Sequence, residues 1–260
     1  MDRVDLKPSD SFVRKARKAN VLLLACGALA REIVDLIELN NWQGFDIQCL
    51  PAKWHNTPQF IVPALREKIR EAKDEYNKIY VVYGDCGTGG LLDAMLLEEG
   101  VERISGPHCY AFYSGNTVFA ARAEDDMTSF FLTDYIARQF DKLIWQGLGL
   151  DRHPELLPLY FGNYTKVIYL AQTDDEDLRK AAQAAAIKLG LAYEYRFTGY
   201  GELETELPGD LGAFGFVDGA DLEHCIDEEA EPLLRRLAAG AGVGGGDQPE
   251  ILEIGHHIAD

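Results

Sequence analysis

The sequence predicts an α/β protein with a Rossmann-like layered fold, in which a mostly parallel sheet is flanked by helices. Three observations carry that prediction. Short runs rich in apolar and β-branched residues alternate with helical patterns of ten residues or more. VLLLAC (21–26) and TKVIYLA (165–171) are apolar almost throughout, as strands covered on both faces are. Glycine-bearing turns join the strand runs to the helical ones.

Taken in order, VLLLAC is followed by Gly27 and ALAREIVDLIELN, where Leu29, Ile33, Leu36 and Ile37 recur at helical spacing. FDIQCLP (45–51) is a short strand stopped by Pro51, and a polar loop to Pro58 leads into the helical pattern IVPALREKIREAKDEY. KIYVVYG (78–84) opens a third copy, continued by DCGTGG and the apolar helix LLDAMLLEE. A fourth short strand near VERIS (101–105) precedes Gly106 and Pro107. The stretch from Met127 to Leu156 reads as helical with a break at Gly-Leu-Gly (147–149), and TKVIYLA returns to strand. Thr173 to Glu176 has capping-box spacing, which predicts a helix running to about Leu189 with Gly190 as its cap. LAYEYRF (191–197) is the last strand. The pattern divides the chain into an N-terminal arm (1–19), an α/β domain (20–220), a C-terminal helix (221–239) and a Gly-rich linker and tail (240–260).

Composition narrows the function classes. The 260 residues hold 25 Lys+Arg against 43 Asp+Glu, a formal net charge of −18, which opposes broad attraction to phosphate backbones or anionic membranes. No nucleic-acid or membrane partner is expected. An apolar fraction of 47% is that of a folding chain. Five cysteines, an odd and scattered set, do not make a disulfide scaffold and point to a reducing compartment. Arg14, Lys15, Arg17 and Lys18 ahead of Val21–Ala25 and Cys26 imitate a lipoprotein signal, but five apolar residues fall short of the roughly seven to fifteen that a signal needs. The expected location is cytoplasmic.

In open parallel sheets the ligand site forms outside the carboxyl ends of the strands. The loops there carry Cys26, then His55, then Asp85-Cys86, then His108-Cys109. No pair has C-x-x-C or H-x-x-x-H spacing, so the case for a metal rests on topology gathering these residues at one rim. His55, Cys86 and Cys109 would give zinc three ligands and leave a fourth position open, as catalytic zinc requires. Cys26 and Cys49 lie within apolar strands and read as core, since buried cysteine behaves as a small hydrophobe. Cys86 differs, because Gly84, Gly87, Gly89 and Gly90 surround it and a helix follows, the setting of a displayed thiolate. This is no nucleotide loop, for neither G-x-G-x-x-G nor the phosphate-loop pattern is present. His153 reads as surface, His256 and His257 as tail, and Cys225 has no assigned role.

LLACGALAREI, LPAKWHNTP, VYGDCGTGG, GPHCYAFYSG and FFLTD, in that order, resemble the family catalogued as domain of unknown function 1638, over roughly residues 20–220. The most specific pieces are Tyr83, Gly84, Cys86 and Gly87, the histidine after Leu-Pro at His55, and Cys109. Where relatives carry an Arg and an Asp before that cysteine, this chain has Gly106, Pro107 and His108. The resemblance implies corrinoid-linked one-carbon metabolism. On that basis the expected function is a zinc-dependent methyltransferase-type enzyme that activates a thiol, with a corrinoid as substrate or carried on a partner protein or methyltransferase. Glu32, on the helix after the first strand, is the expected exchangeable fourth donor, with an exposed, ion-paired helix residue as the alternative. Two other functions fit the same residues: a non-catalytic corrinoid- or metal-holding accessory protein, and a metal-free enzyme with Cys86 as nucleophile and His55 or His108 as base.

Overall fold

The computed structural model describes residues 13–14 and 21–207. The expectations for the rest of the arm, for 221–239 and for 240–260, with Cys225, His256 and His257, lie outside the described residues. The fold is the expected α/β layered one, but its strands make two sheets, each the centre of a compact unit.

The first unit comprises β1 (Val13–Arg14), β2 (Val21–Cys26), α1 (Ala30–Leu39), β3 (Phe45–Leu50), α2 (Ile61–Ala72), β4 (Lys78–Val82), α3 (Leu91–Glu99) and β5 (Glu102–Arg103). Its strand order is β1-β3-β2-β4-β5, parallel except for β1, which runs antiparallel to β3 at one edge. β2 lies between β3 and β4, and Val21 to Ala25 are buried, which is why its sequence shows no alternation. Leu22, Leu24 and Val81 pack with Ile61, Leu65 and Ile69 of α2 and Leu92 and Met95 of α3. The chain leaves β2 towards β3 on one side and leaves β4 towards β5 on the other. The carboxyl end of β2 is therefore a topological switch point, where open α/β sheets form their crevice.

The second unit carries α4 (Cys109–Ser114), α5 (Asn116–Ala121), α6 (Ala123–Asp126), β6 (Ser129–Leu132), α7 (Asp134–Arg138), a π-helical turn (Asp141–Gln146), α8 (Leu157–Phe161), β7 (Lys166–Ala171), α9 (Glu176–Leu189), β8 (Ala192–Phe197) and α10 (Glu202–Glu206). β6, β7 and β8 are parallel in that order. Residues 129–132 correct the helical reading of Met127–Leu156: a four-residue apolar run is too short for periodicity to separate a strand from a buried helix. Its neighbour β7 is buried from Val167 to Ala171. α9 ends at Gly190 in the left-handed conformation, as its sequence predicts.

The start of α9 differs from expectation. Asp175 is the N-cap, its Oδ1 accepting from the amides of Asp177 (2.8 Å) and Leu178 (3.1 Å). Thr173 instead donates its hydroxyl to Asp134 Oδ2 at 2.5 Å. A buried carboxyl group takes the hydroxyl that the capping box would have used.

At the other end of this sheet Asp126, buried, binds Arg196 through both oxygens (2.5 and 2.7 Å) and Lys166 at 3.2 Å, while Glu194 binds the same two cations. The hydrogen bonds from Arg196, followed by those from Lys166, hold the Asp126 carboxyl below its ordinary pKa. A carboxyl depressed in the folded state adds stability above its unfolded pKa and loses it as pH falls through the folded value. Acid unfolding followed by circular dichroism should therefore show stability falling below roughly pH 4, with a shallower fall in Asp126→Asn, whose side chain does not titrate.

Candidate metal centre

The loops that leave the carboxyl ends of β3 and β4 carry His55 and Cys86, and His108 and Cys109 stand near the start of the second unit. The loop after β4 is the most constrained. Cys86 adopts φ of +47°, a left-handed conformation that costs a residue with a Cβ on the order of 1–2 kcal/mol. Gly87, at φ of +83°, continues the same reversal. Asp85 closes the turn from inside: its carboxylate accepts from the Thr88 hydroxyl and from the amides of Gly89 (3.1 Å) and Gly90 (3.0 Å). Those amides lie at the start of α3, so a side chain already fills the place that a phosphate would take in a nucleotide loop.

Arg103 of β5 brackets this loop. Its guanidinium donates to the carbonyls of Tyr83 (3.3 Å) and Ile104 (2.8 Å) and forms a two-pronged pair with Asp93 of α3 (2.5 and 3.0 Å). The hydrogen bonds to Asp93 raise the Arg103 pKa most, with smaller contributions from the charges of Asp85 and Cys86. A fixed positive charge thus lies within electrostatic reach of the Cys86 sulfur. The sequence shows Arg103 only as part of a strand, because its distant partners come from two other segments, at Tyr83 and Asp93.

His55 sits in the 3₁₀ turn Ala52–Asn56 that follows β3 and Pro51. The adjacent Trp54 is buried at 1% exposure in the core with Leu24, Leu50 and Leu92, which anchors the turn and leaves His55 on the open side. Crowding by protein around its ring pushes the His55 pKa down by desolvation, although the residue keeps an exposed edge. The neutral ring that results keeps the lone pair a metal needs. The loops after β3 and β4 meet here: a Cβ added to Gly87 would lie 3.5 Å from Pro58 Cγ.

In the loop after β5, His108 is extended (φ −152°, ψ 155°) and caps α4, its Nδ1 accepting from the Tyr110 amide at 3.3 Å. Cys109, the expected third ligand, follows His108 at the start of α4, with its Sγ 3.4 Å from His108 Nδ1.

Cys26 and Glu32 occupy the neighbouring end of β2. Burial pushes the Cys26 thiol pKa up, a push opposed by the Ala28 amide and the Tyr83 hydroxyl and reinforced by the charge of Glu32. The core reading of Cys49 matches its burial, and Cys26 packs against the same core as Leu24. Glu32 is 2% exposed, which overturns the alternative of a solvated helix residue. The Tyr83 hydroxyl lies among these groups, its pKa raised well above the ordinary value by burial and then by Cys26, Cys86 and Cys49.

A family model described as "Protein of unknown function (DUF1638)" matches residues 49–207. That span holds His55, Cys86, His108 and Cys109 and leaves Cys26 and Glu32 outside. No curated protein and no solved structure matches the chain. Among the described residues no helix is long and apolar enough to cross a membrane.

Proposed function

The chain belongs to the DUF1638 family, and we propose that it holds one zinc ion through His55, Cys86 and Cys109 and transfers a methyl group to a thiol in corrinoid-linked metabolism. What supports the zinc reading is the placement of His55 and Cys86 in the loops after β3 and β4, at the carboxyl end of one parallel sheet, where the two loops approach so closely that a Cβ on Gly87 would lie 3.5 Å from Pro58 Cγ. The methyl-transfer reading rests on the family resemblance and on the open fourth position. Zinc bound there lowers the pKa of a thiol in that position, so that it reacts as thiolate at neutral pH.

The chain's own residues set the geometry. The strained turn at Cys86 fixes one donor, the Trp54 anchor fixes the turn that carries His55, and Arg103 holds the ends of the Cys86 loop together. Glu32, buried beside Cys26, is proposed as the carboxylate that would supply the exchangeable fourth donor. In the balanced reaction the substrate thiol releases its proton and its sulfur bonds the methyl carbon. The carbon–donor bond breaks with its electron pair remaining on the donor; for a methylcorrinoid, cobalt passes from Co(III) to Co(I). The acidic surface implied by the net charge of −18 suits a partner corrinoid protein with a basic docking face.

The test is incubation of zinc-loaded protein with methylcobalamin and a small thiol, following the corrinoid spectrum and the thioether product. Zinc-dependent thioether formation, absent in Cys86→Ser, is expected. Stoichiometric zinc without thioether, with free or protein-bound methylcorrinoid, would contradict methyl transfer and leave a metal-holding role.

A further inference from the structure

We infer that the outer face of α3 is a docking surface for a second copy of this chain, the two α3 helices packing antiparallel about a two-fold axis at Ala94. The sequence of α3, LLDAMLLEE, is apolar on all sides, the composition of a helix that is covered all round. Here only one side is covered. Leu92, Met95 and Leu96 are buried in the core of the first unit, while Leu91, Ala94 and Leu97 face outwards. Leu91 is 65% and Leu97 84% exposed, and no other helix among the described residues leaves two large apolar side chains so open. The inference goes beyond the zinc reading and uses none of its residues.

Spacing and charge select the occupant. Leu91, Ala94 and Leu97 follow one another at three-residue intervals, a single ridge of the helix with its smallest member at the centre. Counting outwards from Ala94 in an antiparallel pair, Leu91 of each copy meets Leu97 of the other, and Gly90 meets Glu98. A two-fold interface uses one patch twice and requires this kind of self-complementarity. Alanine at the centre lets the helix axes approach to the near end of the roughly 8–10 Å range. The carboxylate of Glu98, 64% exposed and held by Arg66 at 2.7 Å, falls at the amino end of the second copy's α3, where the helix dipole is positive. The place opposite it is open, since a Cβ added to Gly90 would meet nothing within 4 Å. A parallel pair would instead set Glu98 against its own copy. Two helices of nine residues bury an area at or below the low end for specific interfaces, about 1,200 Å², so the dimer is one that dissociates on dilution.

The experiment is sedimentation velocity of the full chain over roughly 1–200 μM, a range that brackets a dissociating dimer. Wild-type protein should pass from monomer to dimer within it. Leu91→Glu and Leu97→Lys should each raise the dissociation constant about 100-fold, because a two-fold axis counts every substitution twice. Both positions are exposed, so circular dichroism should be unchanged. Mixed in equal amounts, the two variants should recover the dimer, since the introduced carboxylate of one meets the introduced ammonium of the other while the remaining leucines still pair. Ile187→Glu, at a 73% exposed position of α9, should dimerise as the wild type does. A wild-type chain that stays monomeric throughout, a dimer untouched by either α3 substitution, a dimer that mixing does not restore, or one lost equally in Ile187→Glu would each overturn the pairing. Zinc content, measured on the same samples, tests the metal reading separately.

Discussion

Cys86→Ser should lower bound zinc from about one per chain to less than roughly a tenth, measured by elemental analysis after dialysis. The effect is large because Cys86 is the proposed thiolate ligand of the loop after β4, and two remaining ligands hold zinc weakly. The loop should survive the change. Its shape is fixed by Asp85 and its bonds to Thr88, Gly89 and Gly90, and by Arg103, none of which uses the Cys86 side chain. Unchanged secondary structure with lost metal is the expected pair of results. Zinc retained at full stoichiometry would exclude Cys86 as a ligand. His55→Ala and Cys109→Ala should weaken binding in the same way.

Asp134→Ala should destabilise the three-stranded unit by roughly 3–5 kcal/mol. Asp134 is 2% exposed, and its two oxygens accept from the Tyr169 hydroxyl (2.7 Å), the Gln172 amide (3.0 Å), and the amide and hydroxyl of Thr173 (2.9 and 2.5 Å). Its own amide donates to Gln172 Oε1 at 2.8 Å. One carboxylate therefore ties the loop after β6 to the loop after β7. Removing it strands the buried donors of Tyr169 and Gln172, each costing about 1–3 kcal/mol, and leaves the half-buried Thr173 without its acceptor. Burial, followed by the bond to Asp134, raises the Tyr169 pKa, so the phenol stays protonated as a donor throughout the neutral range. Urea unfolding should show a lowered midpoint. Asp134→Asn should lie between alanine and wild type, because its amide group turns a donor towards donors. A loss under about 1 kcal/mol for alanine would mean that water reaches these loops.

The central strands were legible because burial on both faces leaves an unbroken apolar run. β2 matches VLLLAC residue for residue, and β7 begins one residue into TKVIYLA. β6 was not legible, since SFFL carries no period of its own and its neighbours are helical. The split into two sheets was hidden for a related reason: β5 is only two residues long, and nothing in VERIS says that the sheet ends there. At the site, the placement of His55 and Cys86 in loops after β3 and β4 was readable because each loop directly follows a strand. The extended backbone at His108, which caps α4 through its ring, was not, because a histidine carries no capping signal of its own. Asp134 stood in the motif FFLTD, but its meaning lies in Gln172 and Thr173, a strand and several helices further along the chain.

X-ray absorption at the zinc edge of the purified full-length protein tests the central claim most directly. The account predicts one zinc per chain with two sulfurs near 2.3 Å and one or two nitrogen or oxygen neighbours near 2.0–2.1 Å, at least one of them showing the outer-shell scattering of imidazole. No sulfur in that shell, no imidazole scattering, or protein that holds no zinc after loading would contradict it.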